Sequence, residues 1–426
     1  MQPRLVCVKE SPRFRRIVFL SPAAQGGGAE AVLLDLLAAL RTAQPAWEFF
    51  LIAAEDGPLL DNARALGVHA EVLSLPPTVR ALGETGAASR GRLLLSVWAS
   101  LGWVCRLRHR LRVLRPDLVH SNGLKTHALG ALALALPGAR RVPLLWHLHD
   151  YLGSRATMAP ILRALGKRCA AAVAISDSVA QDAREILPAR VPIRTVRNAI
   201  DLDRFTPDGP RLDLDALAGL PAASGSSTNS PALLRIGLVA TFAFWKGHGT
   251  FLRAAAHCLA NGLRARFYII GGPIYATTGS QHTREDLEEL ASGVLGADAL
   301  KRGDLGFTGF VNDAPAALRA LDIVVHASTR PEPFGLVIAQ GMACGRAVVA
   351  SAGGGACELF VPEREALAHP PGDAAALAAA ITRLAEVPEL RARLGKAGRS
   401  AAEQRFSRSR LAEELTTIYD EVLAAR

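Results

Sequence analysis

A chain of 426 residues, half of them hydrophobic and 21% charged, is too long for one core and too apolar to be disordered, so it suits two domains. Six scattered cysteines with no Cys-x-x-Cys pair exclude a disulfide framework and a paired-cysteine zinc site, and imply reduced thiols in a cytoplasmic protein. The net charge of +10 is uneven: residues 1–220 carry 28 basic and 19 acidic groups, the remainder 21 and 20.

In chain order, residues 1–15 form a polar tail and Ile17–Leu20 a first strand, too short an apolar run for a signal-peptide core. Gly26, Gly27 and Gly28 make a turn before a helix over 31–41, with strands at Glu48–Ala54 and Val68–Leu73. This βαβ rhythm predicts a parallel sheet covered on both faces. Gly26-x-Gly28-x-x-Ala31, with Glu55 and Asp56 closing the second strand, also satisfies a loose dinucleotide fingerprint, which keeps a nicotinamide enzyme open. Leu93–Leu107 is apolar, holds Trp98 and Trp103, and is flanked by arginines; residues 90–115 carry seven Arg and no acid. The segment reads either as a membrane-interface element or as a buried helix with a basic exposed end. No stretch reaches the roughly 18 apolar residues of a spanning helix.

Strands at Asp117–Ser121 and Leu144–Asp150 end in Asn122 and in His147, His149 and Asp150, where parallel strands present polar groups to a crevice. Two histidines and one carboxylate with no third-ligand pattern do not make a metal site. A further strand, Ala172–Ile175, leads to a cap at Ser176 or Asp177. Asp201-Leu-Asp203 and Asp213-Leu-Asp215 imitate a metal-binding Asp-x-Asp but lie at the domain junction, and Pro221–Pro231 is a small, polar linker. The second half opens on the strand Leu234–Ala240, then Thr241 to Lys246 and a helix from about Thr250; Lys246 at this turn suits a diphosphate. Strands Phe267–Gly271 and Gly306–Val311 follow, the first leading into a long polar loop from Gly272 to His282. The apolar strand Asp322–His326 leads into Ser328–Leu359, which runs Pro-flanked Glu332, Gly335 opening a short helix, strand Ala347–Ala350 and Gly353–Gly355. Backbone N–H groups at a helix start and a glycine turn, beside a carboxylate, read as a site for a phosphate and a sugar hydroxyl.

Glu332-Pro333-Phe334-Gly335, with Gln340 directly before Gly-Met-Ala-Cys-Gly, resembles the signature of family 4 of the retaining glycosyltransferases. That resemblance, over about residues 16–425, implies a GT-B fold: two Rossmann-like domains facing across a cleft. The domains expected are a tail, 1–15; an acceptor domain, 16–205; a linker, 206–231; a nucleotide-sugar domain, 232–402; and a helix returning to the first domain, 403–426. It implies a donor site of Thr241, Lys246, Gly272, Phe310, Val311, Glu332, Phe334, Gly335, Leu336 and Gln340, with His149, Glu332 and Lys246 in the chemistry. Gly26–Gly28 would face the cleft, and Glu30, Asn122 and Asp150 the acceptor.

Three positions depart from the family pattern: Thr241 where it has Arg, Ala199 where it has Gly, and Gln340 where it has Glu. A left-handed turn would strain Ala199, and Gln340 keeps an acceptor oxygen but loses charge assistance toward a ribose. The expected activity is retaining, metal-independent transfer from a nucleoside-diphosphate sugar, with no cofactor, to a lipid-linked or polysaccharide intermediate of a bacterial envelope. The site is placed in the cytoplasm, with residues 90–115 against the inner face of the membrane, and nucleic acid is not a partner. An epimerase on the same fold or a non-catalytic nucleotide-binding scaffold are the alternatives.

Overall fold

The computed structural model describes residues 14–80, 90–135, 141–221, 233–273, 280–296 and 299–425. Most of the tail 1–15, the linker core 222–232 and loop residues 274–279 lie outside these.

Two parallel sheets organise the chain. The first contains β1 (Arg16–Ser21), β2 (Glu48–Ala53), β3 (His69–Val72), β4 (Leu118–Ser121), β5 (Leu144–Leu148), β6 (Cys169–Ala174) and β7 (Ile193–Thr195), in the order β3-β2-β1-β4-β5-β6-β7. The second contains β8 (Leu234–Val239), β9 (Ala265–Ile270), β10 (Leu305–Gly309), β11 (Ile323–His326), β12 (Ala347–Ser351) and β13 (Leu367–His369), in the order β10-β9-β8-β11-β12-β13. Central strands such as β5, β9 and β11 are buried along their whole length, because helices cover both faces. Sequence patterning located eleven strands to within a few residues. It missed β7 and β13, three-residue edge strands with too few apolar positions to show a period.

The order reverses between β1 and β4 and again between β8 and β11. In open parallel sheets such switch points open a crevice at the carboxyl ends of the strands. The last helix, Arg408–Ala424, crosses back to the first domain. Its Leu411, Leu415 and Tyr419 share one apolar cluster with Leu33 and Leu37 of the Gly28–Ala43 helix. Arg408 pairs with Asp35 at 2.5 Å and Asp201 at 3.0 Å. Burial outweighs Arg408 and raises the Asp35 carboxyl to about 6.

The junction needs no special backbone at Ala199. It is fully buried, its φ is not positive, and the next N–H, of Ile200, donates to Phe406 O at 2.8 Å. The Asp-x-Asp motifs have structural roles. Asp213 caps the Leu214–Leu217 helix, and buried Asp215 accepts from Arg235, Arg266 and the Tyr268 hydroxyl.

Arg90–Leu114 is one helix, and the packed reading holds for its described side chains. Trp103, Val104, Leu107, Leu111 and Leu114 are buried, with the Trp103 indole N–H donating to Leu73 O at 2.7 Å. Leu101, Arg106, His109, Arg112 and Val113 are exposed. Trp98 lies outside the described side chains. Among the described residues no helix is long and apolar enough to cross a membrane.

Histidines crowd the carboxyl half of the first sheet. His120 Nδ1 lies 2.6 Å from the Tyr419 hydroxyl, His127 Nδ1 is 2.7 Å from Ser121 Oγ, and neither nitrogen of buried His147 has a described partner. Burial lowers His120 to about 3 and His127 and His147 well below the ordinary value of 6.5. In the second domain it lowers His248 to about 3. Below pH 6.5 the unfolded chain therefore binds protons that the folded chain refuses, so stability is lost as pH falls. Asp35 and Glu30, both raised by burial, oppose this, but as two groups against several. The thermal midpoint should fall by at least about 5 °C between pH 7 and pH 5. A midpoint flat over that range, measured calorimetrically, would contradict these buried neutral imidazoles.

Candidate functional site

At the second switch point, β8 is followed by the short turn Phe244–Lys246 and then by Gly247 at φ 77°. A Cβ on Gly247 would lie 1.8 Å from Ala327 O, so only glycine lets this turn pass so close to the end of β11. That approach sets Lys246 against Glu332. Lys246 Nζ donates to both carboxylate oxygens, at 2.8 and 2.9 Å. Ser328 Oγ donates to Glu332 Oε2 at 2.7 Å, and His326 Nε2 lies 3.5 Å from the same oxygen. Burial pushes the Glu332 carboxyl up, but Lys246 and then His326 more than offset this and hold it well below the usual range. The sequence identifies Lys246 and Glu332 separately; it does not show that they pair, nor that Ser328 and His326 complete the shell.

Around this pair, Gly335, at φ 95°, opens the Leu336–Ala343 helix, which carries half-buried Gln340. Gly272 and Phe310 adjoin at the ends of β9 and β10. Phe310 is 62% exposed and Val311 is half-buried. Thr241, at the end of β8, has a buried Oγ1 with no described partner. Phe334 points elsewhere: its ring is buried against Phe406, with centroids 6.0 Å apart, so only its backbone borders the site. The glycine turn is less open than its sequence suggests, because Gly353 N–H donates to Ser351 O and Gly355 N–H to the Tyr151 hydroxyl.

At the first switch point, Gly26 is exposed and open, and Gly27 caps the Gly28–Ala43 helix. A Cβ on Gly28 would stand 3.6 Å from Leu336 of the second domain, in ordinary contact across the cleft. Glu30 folds back over this turn. Burial raises its carboxyl, and hydrogen bonds from its own N–H and that of Gly27 only partly offset this. Asn122 Oδ1 accepts from His149 Nε2 at 2.7 Å, and Asn122 Nδ2 donates to Ala29 O at 3.4 Å, tying β4, the end of β5 and the glycine turn together. Burial lowers His149 to about 4, so it faces the cleft as a neutral imidazole at physiological pH. Asp150 is paired with Arg155 at 2.6 Å.

The dinucleotide reading loses its acids. Glu55 accepts from Ala24 N–H and Asp56 from Gly57 N–H, so both are engaged in the turn. Among the described residues, no group of three or more His, Cys, Asp or Glu is arranged to hold a metal ion.

Two family models match: "Glycosyltransferase Family 4" over residues 26–204 and "Glycosyl transferases group 1" over 229–401. The chain is 33% identical over 328 residues to a D-inositol 3-phosphate glycosyltransferase of Saccharomonospora viridis, covering 72% of this chain and 71% of that one. It is 28% identical over 379 residues to an alpha-D-kanosaminyltransferase of Streptomyces kanamyceticus, covering 83% and 89%. The crystal structure of Anabaena HepE with UDP-glucose has the same fold, with a TM-score of 0.75 at 24% identity over 97% of this chain and all of that one. With two parallel domains, switch points facing one cleft and these matches, the chain belongs to the glycosyltransferases of GT-B fold.

Proposed function

We propose that the chain transfers a glycosyl group, with retention and without a metal, from a nucleoside-diphosphate sugar to an acceptor hydroxyl. The observation that carries this reading is the Lys246–Glu332 pair at the second switch point. A diphosphate entering there competes for Lys246, and a sugar hydroxyl for Glu332, so the donor replaces one internal pair by two contacts of its own. As the bond to the anomeric carbon breaks, charge grows on the diphosphate. Lys246 and the start of the Leu336–Ala343 helix are already oriented toward it and need little reorganisation. Phe310 and Gly272 border the place for the base, and Gln340 that for the ribose. His149, neutral and fixed by Asn122, offers a hydrogen bond to the sugar from the opposite wall. Retention by front-face attack rests on the family resemblance.

The HepE complex contains UDP-glucose, which supports a uridine donor as the first to test. A relative named for D-inositol 3-phosphate supports a hydroxyl-rich acceptor. The reading extends to a lipid-linked or polysaccharide acceptor, reached from a membrane surface through the basic outer side of the Arg90–Leu114 helix, with Leu101 and Val113 exposed among its arginines. If so, the protein sediments with anionic phospholipid vesicles at low salt and not with neutral ones. Equal absence from both would remove the membrane from the account.

Removing Lys246 leaves Glu332 buried and unpaired, so Lys246→Ala should lower both stability and turnover. Release of nucleoside diphosphate from the preferred donor should drop at least about 100-fold. The double variant Lys246→Ala/Glu332→Gln should recover the thermal midpoint but not turnover; recovery of both would place the reaction elsewhere. Gln340→Glu restores a charged acceptor to the helix. It should tighten nucleoside diphosphate binding by about tenfold in calorimetry, whereas unchanged affinity would mean that residue 340 does not meet the ribose.

A further inference from the structure

The Asp177–Ile186 helix of the first domain is capped from two directions. Its own N-cap, Ser176, accepts from Val179 N–H at 3.1 Å through Oγ. The two preceding N–H groups, of Asp177 and Ser178, each donate at 2.8 Å to the Glu358 carboxylate, which belongs to the second domain. Arg197 approaches the same carboxylate at 3.4 Å. The first N–H groups of a helix have no partners within it and carry the positive end of its dipole. Here an acid 180 residues away in sequence satisfies two of them, in charge-assisted bonds.

Tyr151 makes a second crossing beside it. Its hydroxyl lies 3.0 Å from Ser178 Oγ and 3.3 Å from Glu332 O, and accepts Gly355 N–H at 3.3 Å. The two segments it joins, around Glu332 and Gly353–Gly355, are already tied by Glu332 N–H donating to Gly353 O. The glycines are what let the domains approach. A Cβ on Gly354 would lie 2.3 Å from the Tyr151 hydroxyl, and one on Gly355 would lie 2.6 Å from Ser176 Oγ.

We propose that Glu358 and Tyr151 are positioning residues that clamp the first domain onto the turn carrying Glu332. The clamp fixes the closed cleft and the distance from Glu332 to the His149 wall. Neither residue touches the nucleotide side of the second domain, where Lys246, Gln340 and Phe310 lie. The clamp should therefore act on turnover and not on nucleotide affinity. This inference rests on the proposed transfer reaction for its kinetic consequence only; the closure it describes is measurable without turnover.

The test compares wild type with Glu358→Ala, Glu358→Gln and Tyr151→Phe. Hydrogen exchange of the segment 176–180 should accelerate by about tenfold in Glu358→Ala, less in Glu358→Gln. The radius of gyration in X-ray scattering should rise in Glu358→Ala while the thermal midpoint stays within a few degrees. The dissociation constant for UDP, or for whichever nucleoside diphosphate binds best, should be unchanged, and kcat should fall about tenfold in Glu358→Ala and Tyr151→Phe. Unchanged exchange and scattering in Glu358→Ala would overturn the clamp whether or not the protein turns over a donor. A wild type that releases no diphosphate from any donor, with exchange and scattering responding as stated, would instead refute the transfer reading and leave the clamp standing.

Discussion

The ion pair between Lys246 and Glu332 is the constraint on which the second domain's crevice depends. It joins the segment after β8 to the segment after β11, the two strands between which the sheet order reverses. Side-chain exposures of 24% and 13% put both groups where water screens them poorly. A carboxylate so buried stays ionised only while a cation remains beside it, and the cation is held only because Gly247 allows its turn against Ala327 O. In the proposed reaction this pair is the resting state of the donor site. Its two charges already have the signs and positions that a diphosphate and a sugar hydroxyl require.

The first domain contributes a different kind of wall. His149 is neutral because it is buried, and Asn122 fixes which nitrogen carries its proton. Such a group orients a substrate without adding charge. The first domain is tied to the second through the returning Arg408–Ala424 helix at the back and through Tyr151 and Glu358 at the cleft. The back attachment combines an apolar cluster with the Arg408 ion pairs, and the cleft contacts combine these hydrogen bonds with the approach of Arg197 to Glu358.

Much of this was legible in the sequence. Apolar runs such as Ile17–Leu20 and Ile323–His326 mark strands because strands buried on both faces must be apolar throughout. Gly335 and Lys246 stand at strand-to-helix turns, where position in the chain nearly determines position in the crevice. The contacts between distant segments were not legible. Nothing in the spacing of Glu358 and Ser178 signals that a carboxylate of one domain caps a helix of the other. Phe334 lies within the motif, but its ring is buried against Phe406, so adjacency in sequence brought its backbone and not its side chain to the crevice. Ala199 shows that a departure from a pattern can be absorbed, since its backbone never enters the left-handed region.

The most direct test of the account is ligand-induced thermal stabilisation, with UDP, GDP, ADP, TDP and their sugars compared on the purified protein. A ligand that binds only the folded chain stabilises it by mass action, about 2.7 kcal/mol at a concentration 100 times its Kd. The account predicts a clear rise with one nucleoside diphosphate and its sugar, and little with the others. No rise with any of them at about millimolar concentration would contradict the claim that the Lys246–Glu332 crevice is a donor site.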